Sequence, residues 1–341
     1  MNTAIQDAYQ KRPRLLLIVG YGLAFICLVW VLHDFHIMQA LRQIANVSWK
    51  WVVLGMACDV LSYGIQALRW KFLLAPFGKV RLSRSIRAVY SGLFANLVFP
   101  IRPGEVLRSY LLSNSEGITI GRILGSVGVE RFVDLVIATA ALAMVSLFVE
   151  LPRRFQRVAD TLAIVTLVLL TIVALVILYL EIKLGSSPPP DGKRRRLPGK
   201  FMAVLTDLHA IGTSPSFYAA VLTSLLMPFC QVVGLWAMMR SYGLALPLLA
   251  AVVVLLIINL GVSLPNAPAN VGSYQFFCVL GLGIFDVEKT SATGFSIFAF
   301  LALTLPLAFL GFAALLRSGM SLRSMREKVK GLPRKAARPS A

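Results

Sequence analysis

Residues 96–112 read NLVFPIRPGEVLRSYLL. The stretch starts as membrane-like apolar sequence, breaks at Pro100 and Pro103, and sets Arg102, Glu105 and Arg108 directly against the apolar run. The uncharged run, 88–101, is fourteen residues long. As a helix it covers about 21 Å, against a hydrocarbon core of about 30 Å. It is too short to cross and it stops on an arginine. The reading is therefore a re-entrant hairpin over 86–112: one half-helix in, a break at Pro100–Pro103, one half-helix out. Irregular backbone at membrane depth is tolerated where it is buried in protein or lines a wet cavity.

The rest of the chain sets the context for this hairpin. Of 341 residues, 57% are hydrophobic and the mean hydropathy is +0.77, far above ordinary globular usage. Apolar runs at 15–32, 50–68, 123–149, 159–181, 216–240 and 294–316 predict about six full spans. Trp30, Trp49, Trp51 and Trp236 sit near the ends of these runs, where indole rings favour the interface. The net charge of +19 resides in loops and tails, as orientation signals and contacts to anionic headgroups. It does not point to nucleic acid. Cys27, Cys58, Cys230 and Cys278 lie singly in apolar segments without metal or C-x-x-C spacing. The first apolar run follows Lys11, Arg12 and Arg14 without a small-residue cleavage site, so it is expected to be a retained span after a cytoplasmic N-terminus, 1–14. The Pro-rich basic loop (182–215) and the basic tail (317–341) are likewise expected in the cytoplasm.

A second interrupted region covers 246–285, centred on NLGVSLPNAPANVGSYQ at 259–275. Both interrupted regions carry Asn-Leu, a short apolar stretch, two prolines and a glycine. Both stand between spans. The fold predicted is an all-α integral membrane protein with two re-entrant broken-helix hairpins related by an inverted repeat. In transporters of that plan, discontinuous helices build the substrate site.

Pro103 suits the start of a half-helix because its missing N–H costs nothing there. The free N–H groups near Gly104 and the positive helix end would then face the break with Arg102, and Arg108 lies about one turn on. This constellation would attract an anion, in a membrane a lipid phosphate. The alternative is an Arg102–Glu105 ion pair that anchors the hairpin. In VERFVDLV, 129–136, Glu130, Arg131 and Asp134 fall within one apolar segment. Such groups face a bundle interior or a wet cavity, so they either wall a pathway or hold the fold. Asp59, inside the run 50–68, has the same two readings. Arg69, at the end of that run, is expected to snorkel to the interface. In the second hairpin, Asn259, Asn266, Asn270, Ser273 and Gln275 surround Pro265, Pro268 and Gly272. Asn270 is expected to cap a half-helix starting near Val271. No Walker loop, dinucleotide fingerprint, nucleophile elbow or clustered set of metal ligands occurs. No cofactor, metal or catalytic residue is expected, and the protein is not expected to be an enzyme.

The motifs PIRPGEVLRSYLL (100–112), VERFVDLV (129–136) and LPNAPANVGSYQ (264–275) resemble the membrane region of bacterial lysylphosphatidylglycerol synthases and their stand-alone flippase-like relatives. The resemblance covers roughly 15–316 and lacks the soluble synthase domain. It implies roles for Arg102, Glu105, Arg108, Glu130, Arg131 and Asp134. It departs at Gln275, where the family usually carries a glutamate. It also implies a lipid translocase of the bacterial inner membrane that moves a phosphate-bearing or related lipid between leaflets or towards the cell envelope; with no ATP-binding motif in the sequence, the movement is expected to be passive or driven by an ion gradient. The alternative it implies is a membrane subunit or enzyme of polyprenyl-phosphate glycosylation or hopanoid-lipid modification. Membrane lipids are the expected partners, with a soluble glycosyltransferase or a lipid-modifying enzyme as a further one.

Overall fold

The computed structural model describes residues 19–33, 35–99, 103–149, 153–185, 207, 210–263 and 267–318. Among them every regular element is helical: α1 Val19–Leu32, α2 Ile37–Ala45, α3 Trp49–Leu74, α4 Leu82–Val98, α5 Gly104–Glu116, α6 Ile120–Ser146, α7 Arg153–Gly185, α8 Pro215–Ser241, α9 Leu248–Val262, α10 Ser273–Gly283 and α11 Lys289–Arg317, with short 3₁₀ turns at Ala75–Phe77 and Pro268–Asn270. Arg102, Pro100, Pro265, Asn266, the N-terminal segment 1–14, residues 186–206 of the basic loop and the tail from 319 lie outside the described residues.

Among the described residues four helical stretches are long and apolar enough to cross a membrane: Trp49–Phe77, Phe155–Leu175, Pro215–Ser241 and Lys289–Arg317. A fifth is added if Val19–Leu32 and Ile37–Ala45, bent by 83° at their junction, make one span. The count is lower than the six expected because of α6. That helix is long enough, but every membrane-length window of it contains Glu130, Arg131 and Asp134.

The interrupted regions are helical hairpins. The helices α4 and α5 run antiparallel. Arg84, near the start of α4, contacts Ser115 and Glu116 at the end of α5, and the Arg81 N–H donates to Glu116 at 2.9 Å. At the other end Gly92 and Asn96 meet Gly104. The close approach needs glycine at both positions: a Cβ on Gly92 would sit 2.7 Å from the Gly104 carbonyl oxygen. At 17 and 13 residues, the two helices are about 25 and 20 Å long, each short of a bilayer core. The second hairpin pairs α9 with α10. Gly261 packs under the Phe277 ring near the bend, and Gly281 packs on Val254 further along.

The fold divides into two compact units. One is built from described residues of Met1–Gly64, Ile86–Leu111 and Met227–Ala341. Its core contains Val254, Ile258, Cys278, Leu282, Phe295 and Met238, all buried. The other is built from Ile65–Ser85 and Leu112–Leu226. Its apolar core is smaller, around Leu73, Ile211 and Ala220, and it holds the charged cluster described next. Lipid tails are as apolar as leucine, so burial of apolar surface drives little helix association in a bilayer; small-residue contacts and buried polar bonds hold the helices instead.

Candidate functional site

On α3, Ser62, Gln66 and Arg69 follow one another at four- and three-residue steps, which places them on one helical face. All three are buried, Arg69 to 1% exposure. This corrects the expectation that Arg69 snorkels outward. Its guanidinium reaches Glu130 Oε1 at 2.8 Å and Asp134 Oδ1 at 2.5 Å, and donates to Ser224 Oγ at 3.3 Å. The reason lies on α6, where Glu130 and Asp134 are one turn apart and present two carboxylates to one cation. Glu130, fully buried, also accepts the Gln66 amide at 2.8 Å. A desolvated ion persists when it is paired and hydrogen-bonded; here both terminal nitrogens of Arg69 are engaged, and its buried Nε has no hydrogen-bond partner among the described residues. Beside the cluster, Trp70 Nε1 donates to Ser126 Oγ at 3.0 Å.

The cluster is graded in exposure. Glu130 is sealed, Asp134 is 32% exposed, and Arg131, which meets Asp134 at 3.5 Å, is 51% exposed. Two arginines face two carboxylates, so the formal charge balances. The arrangement can hold a fixed buried ion pair at one end and exchange partners at the other. Sequence reasoning named Glu130, Arg131 and Asp134, gave Arg69 a role at the interface instead, and missed Gln66 and Ser224. The signal available was the polar stripe Ser62, Gln66, Arg69 within an apolar run.

At the first hairpin, Pro103 is the residue before the helix, and its carbonyl accepts the Leu107 N–H at 3.0 Å. The Gly104 N–H is not free as expected. It donates to Asn96 Oδ1 at 2.7 Å, because the Gly92–Gly104 approach brings the Asn96 side chain across the start of α5. Arg108 is buried to 4% with its Cβ beside Gly92, and Glu105 is half-buried. Asp59, on α3, is half-buried, and its carbonyl accepts the Ser62 hydroxyl at 2.7 Å.

The second hairpin corrects the expected cap. The helix α10 begins at Ser273 with Gly272 as its N-cap, and Asn270 sits in the preceding 3₁₀ turn at φ +60°. Gln275, buried, turns its side chain back so that Oε1 accepts the Gly272 N–H at 2.8 Å. Gly272 has φ +86°, a left-handed conformation that favours glycine, and its α-carbon faces the Ala24 backbone. Asn259 is exposed at the end of α9. The contact Gln275 makes uses an oxygen acceptor, which glutamate also supplies, so its amide and the carboxylate usual in the resembled family can serve the same bend. Among the described residues no group of three potential metal ligands occurs, and the four cysteines are free thiols.

No curated protein matches the chain, and no solved structure does. The family described as the lysylphosphatidylglycerol synthase TM region matches residues 17–311, a range that takes in both hairpins and the whole Arg69–Glu130–Asp134 cluster. An all-helical membrane chain with charges buried inside its helices, matched over that range, belongs to the lysylphosphatidylglycerol synthase transmembrane-region family.

Proposed function

We propose that the protein is a lipid translocase that moves a phosphate-bearing lipid between leaflets of the bacterial inner membrane. In this reading six full spans cross the bilayer, with α6 the sixth. The two hairpins enter from opposite faces as an inverted repeat, and both termini are cytoplasmic. The lipid leaves with its covalent structure unchanged, so the protein is not an enzyme.

The observation that carries this reading is the graded cluster Arg69–Glu130–Asp134–Arg131. Ionisable groups inside membrane segments are expensive, and they mark pathways that need a polar lining. Arg69 and Glu130 are the sealed anchor. Asp134 and Arg131 are accessible and can exchange partners with a passing headgroup. Two short-helix hairpins, a recurrent element of transporter substrate sites, and membership of a lipid-linked membrane family support the same assignment. Arg102 and Arg108 belong to the phosphate side of this proposal; the Gly104 N–H, held by Asn96 Oδ1, does not. Asp59 and Glu105 belong to the polar wall, and Asn259, Asn270, Gly272 and Gln275 to the second hairpin.

The test is reconstitution of the purified full chain into vesicles that carry a headgroup-labelled phosphatidylglycerol, with leaflet position read by an impermeant quencher. The expected result is protein-dependent exchange with no change in lipid mass. Asp134→Asn should keep the folded protein and slow exchange. Exchange at the parent rate in folded Asp134→Asn removes the cluster from the pathway. A change in lipid mass replaces translocation with an enzymatic reading.

A further inference from the structure

The short helix α2 carries its apolar residues in an unusual place. Ile37, Met38 and Leu41 are 63%, 63% and 53% exposed. The helix turns by 83° from α1, and its other side is docked on α11: the Gln39 amide donates to Glu288 at 3.1 Å and the Gln43 amide to Ser291 at 3.2 Å. An outward apolar face on a helix set across the direction of a membrane segment is the pattern of helices that lie in a bilayer interface.

Beside it opens a cavity of about 810 Å³, within one compact unit. That volume falls in the range of small-molecule sites. Its wall from α2 carries Gln39, Arg42 and Gln43, with His36 just before the helix and Asn46 just after it. The facing wall is the end of α8, where Arg240 lies 5.2 Å over the Trp236 ring. Trp236 is itself fixed, through Nε1–H to the Leu246 carbonyl at 3.1 Å and edge-on packing against Trp51 at 5.4 Å. The lining residues thus include two exposed guanidinium groups and six amide or hydroxyl side chains, and none is a carboxylate. Neither Arg42 nor Arg240 makes an ion pair among the described residues.

We propose that this cavity is a binding site for the phosphate of an anionic phospholipid at the membrane surface, with the acyl chains laid along Ile37, Met38 and Leu41. Arg42 and Arg240 grip the phosphate from opposite walls, and guanidinium forks match phosphate oxygens in a way ammonium groups do not. The glutamine and asparagine amides can bond the glycerol hydroxyls. The apolar rim of α2 favours a lipid over a soluble phosphate ester. The site lies on residues separate from those assigned to translocation. The inference rests on the chain's being a lipid-handling membrane protein and not on transport, so a protein that moves no lipid can still pass the following test.

The experiment titrates the purified full chain in detergent with short-chain phosphatidylglycerol, the matching diacylglycerol and glycerol 3-phosphate, with bound molecules counted by native mass spectrometry. Phosphatidylglycerol should bind, and the other two should bind at least about tenfold more weakly. Arg42→Gln and Arg240→Gln should each weaken phosphatidylglycerol binding about tenfold, a factor worth about 1.4 kcal/mol. Should the combined variant, Arg42→Gln with Arg240→Gln, fail to fold, Arg42→Lys with Arg240→Lys keeps the charge and loses the forks, and should give an intermediate loss. Ile37→Ser with Leu41→Ser should weaken the lipid and leave glycerol 3-phosphate unchanged. Parent-strength binding in either folded arginine double variant overturns the proposal. Diacylglycerol binding as tight as phosphatidylglycerol overturns the phosphate requirement, and glycerol 3-phosphate binding as tight overturns the lipid.

Discussion

Arg69 and Glu130, buried to 1% and 0% exposure, meet at 2.8 Å, and Gln66 bonds the same carboxylate oxygen. The pair joins α3 to α6 and leaves neither ion without compensation. Its geometry decides which changes the protein tolerates.

Removing one charge from this pair should be costly. Glu130→Gln leaves the buried guanidinium with a weaker partner, and breaking a buried ion pair costs roughly 3–5 kcal/mol. The retained Asp134 contact should hold the loss to the lower end of that range. Replacing both ions, Arg69→Met with Glu130→Leu, should recover much of it. Thermal unfolding of the purified variants in detergent is the measurement. A Glu130→Gln protein as stable as the parent contradicts an anchoring role.

The first hairpin should depend on two residues at its bend. Asn96→Ala removes the oxygen that receives the Gly104 N–H, a capping loss of about 1 kcal/mol. Gly92→Ala should do more, because the added methyl would stand 2.7 Å from the Gly104 carbonyl oxygen and the two helices would have to separate. The order of thermal midpoints, parent above Asn96→Ala above Gly92→Ala, is the expected outcome. A Gly92→Ala protein as stable as the parent would show that α4 and α5 do not need that approach.

At the second bend, Gln275→Glu should fold normally, since an oxygen acceptor remains for the Gly272 N–H. Gln275→Ala should lose about 1 kcal/mol. Gly272→Ala should lose more, from its left-handed backbone and its contact with Ala24. Circular dichroism melts across the three variants separate these cases. Equal melts for Gln275→Ala and the parent would remove the side-chain cap from the account.

Orientation can be read in intact cells. Single cysteines at Ser186 and Ser340, in a chain with its four native cysteines replaced, should resist an impermeant thiol reagent, since the surrounding Lys and Arg residues favour the cytoplasm. Ready labelling at either position would reverse the proposed topology.

The two bends were legible in the sequence because proline and glycine act locally: they remove a helix donor or permit a backbone angle wherever they stand. The apolar runs were legible too, since about 20 apolar residues suit a bilayer whatever surrounds them. The carboxylates of α6 could be singled out as expensive, and Arg131 and Asp134 do meet. Their main partner could not be named. Pairing Arg69 with Glu130 spans 61 positions, and a lone arginine at the end of an apolar run reads equally well as a snorkelling charge. Only the packing of α3 against α6 decided between water and carboxylate. The caps failed for the same reason. Asn270 has the right chemistry for an N-cap, but Gly272 takes that position and its N–H donates to Gln275 three residues on, and Asn96 takes the Gly104 N–H from a neighbouring helix. A sequence determines which groups need partners, because desolvation and backbone chemistry belong to each residue. Which partner each receives depends on distances that exist only once the helices have packed.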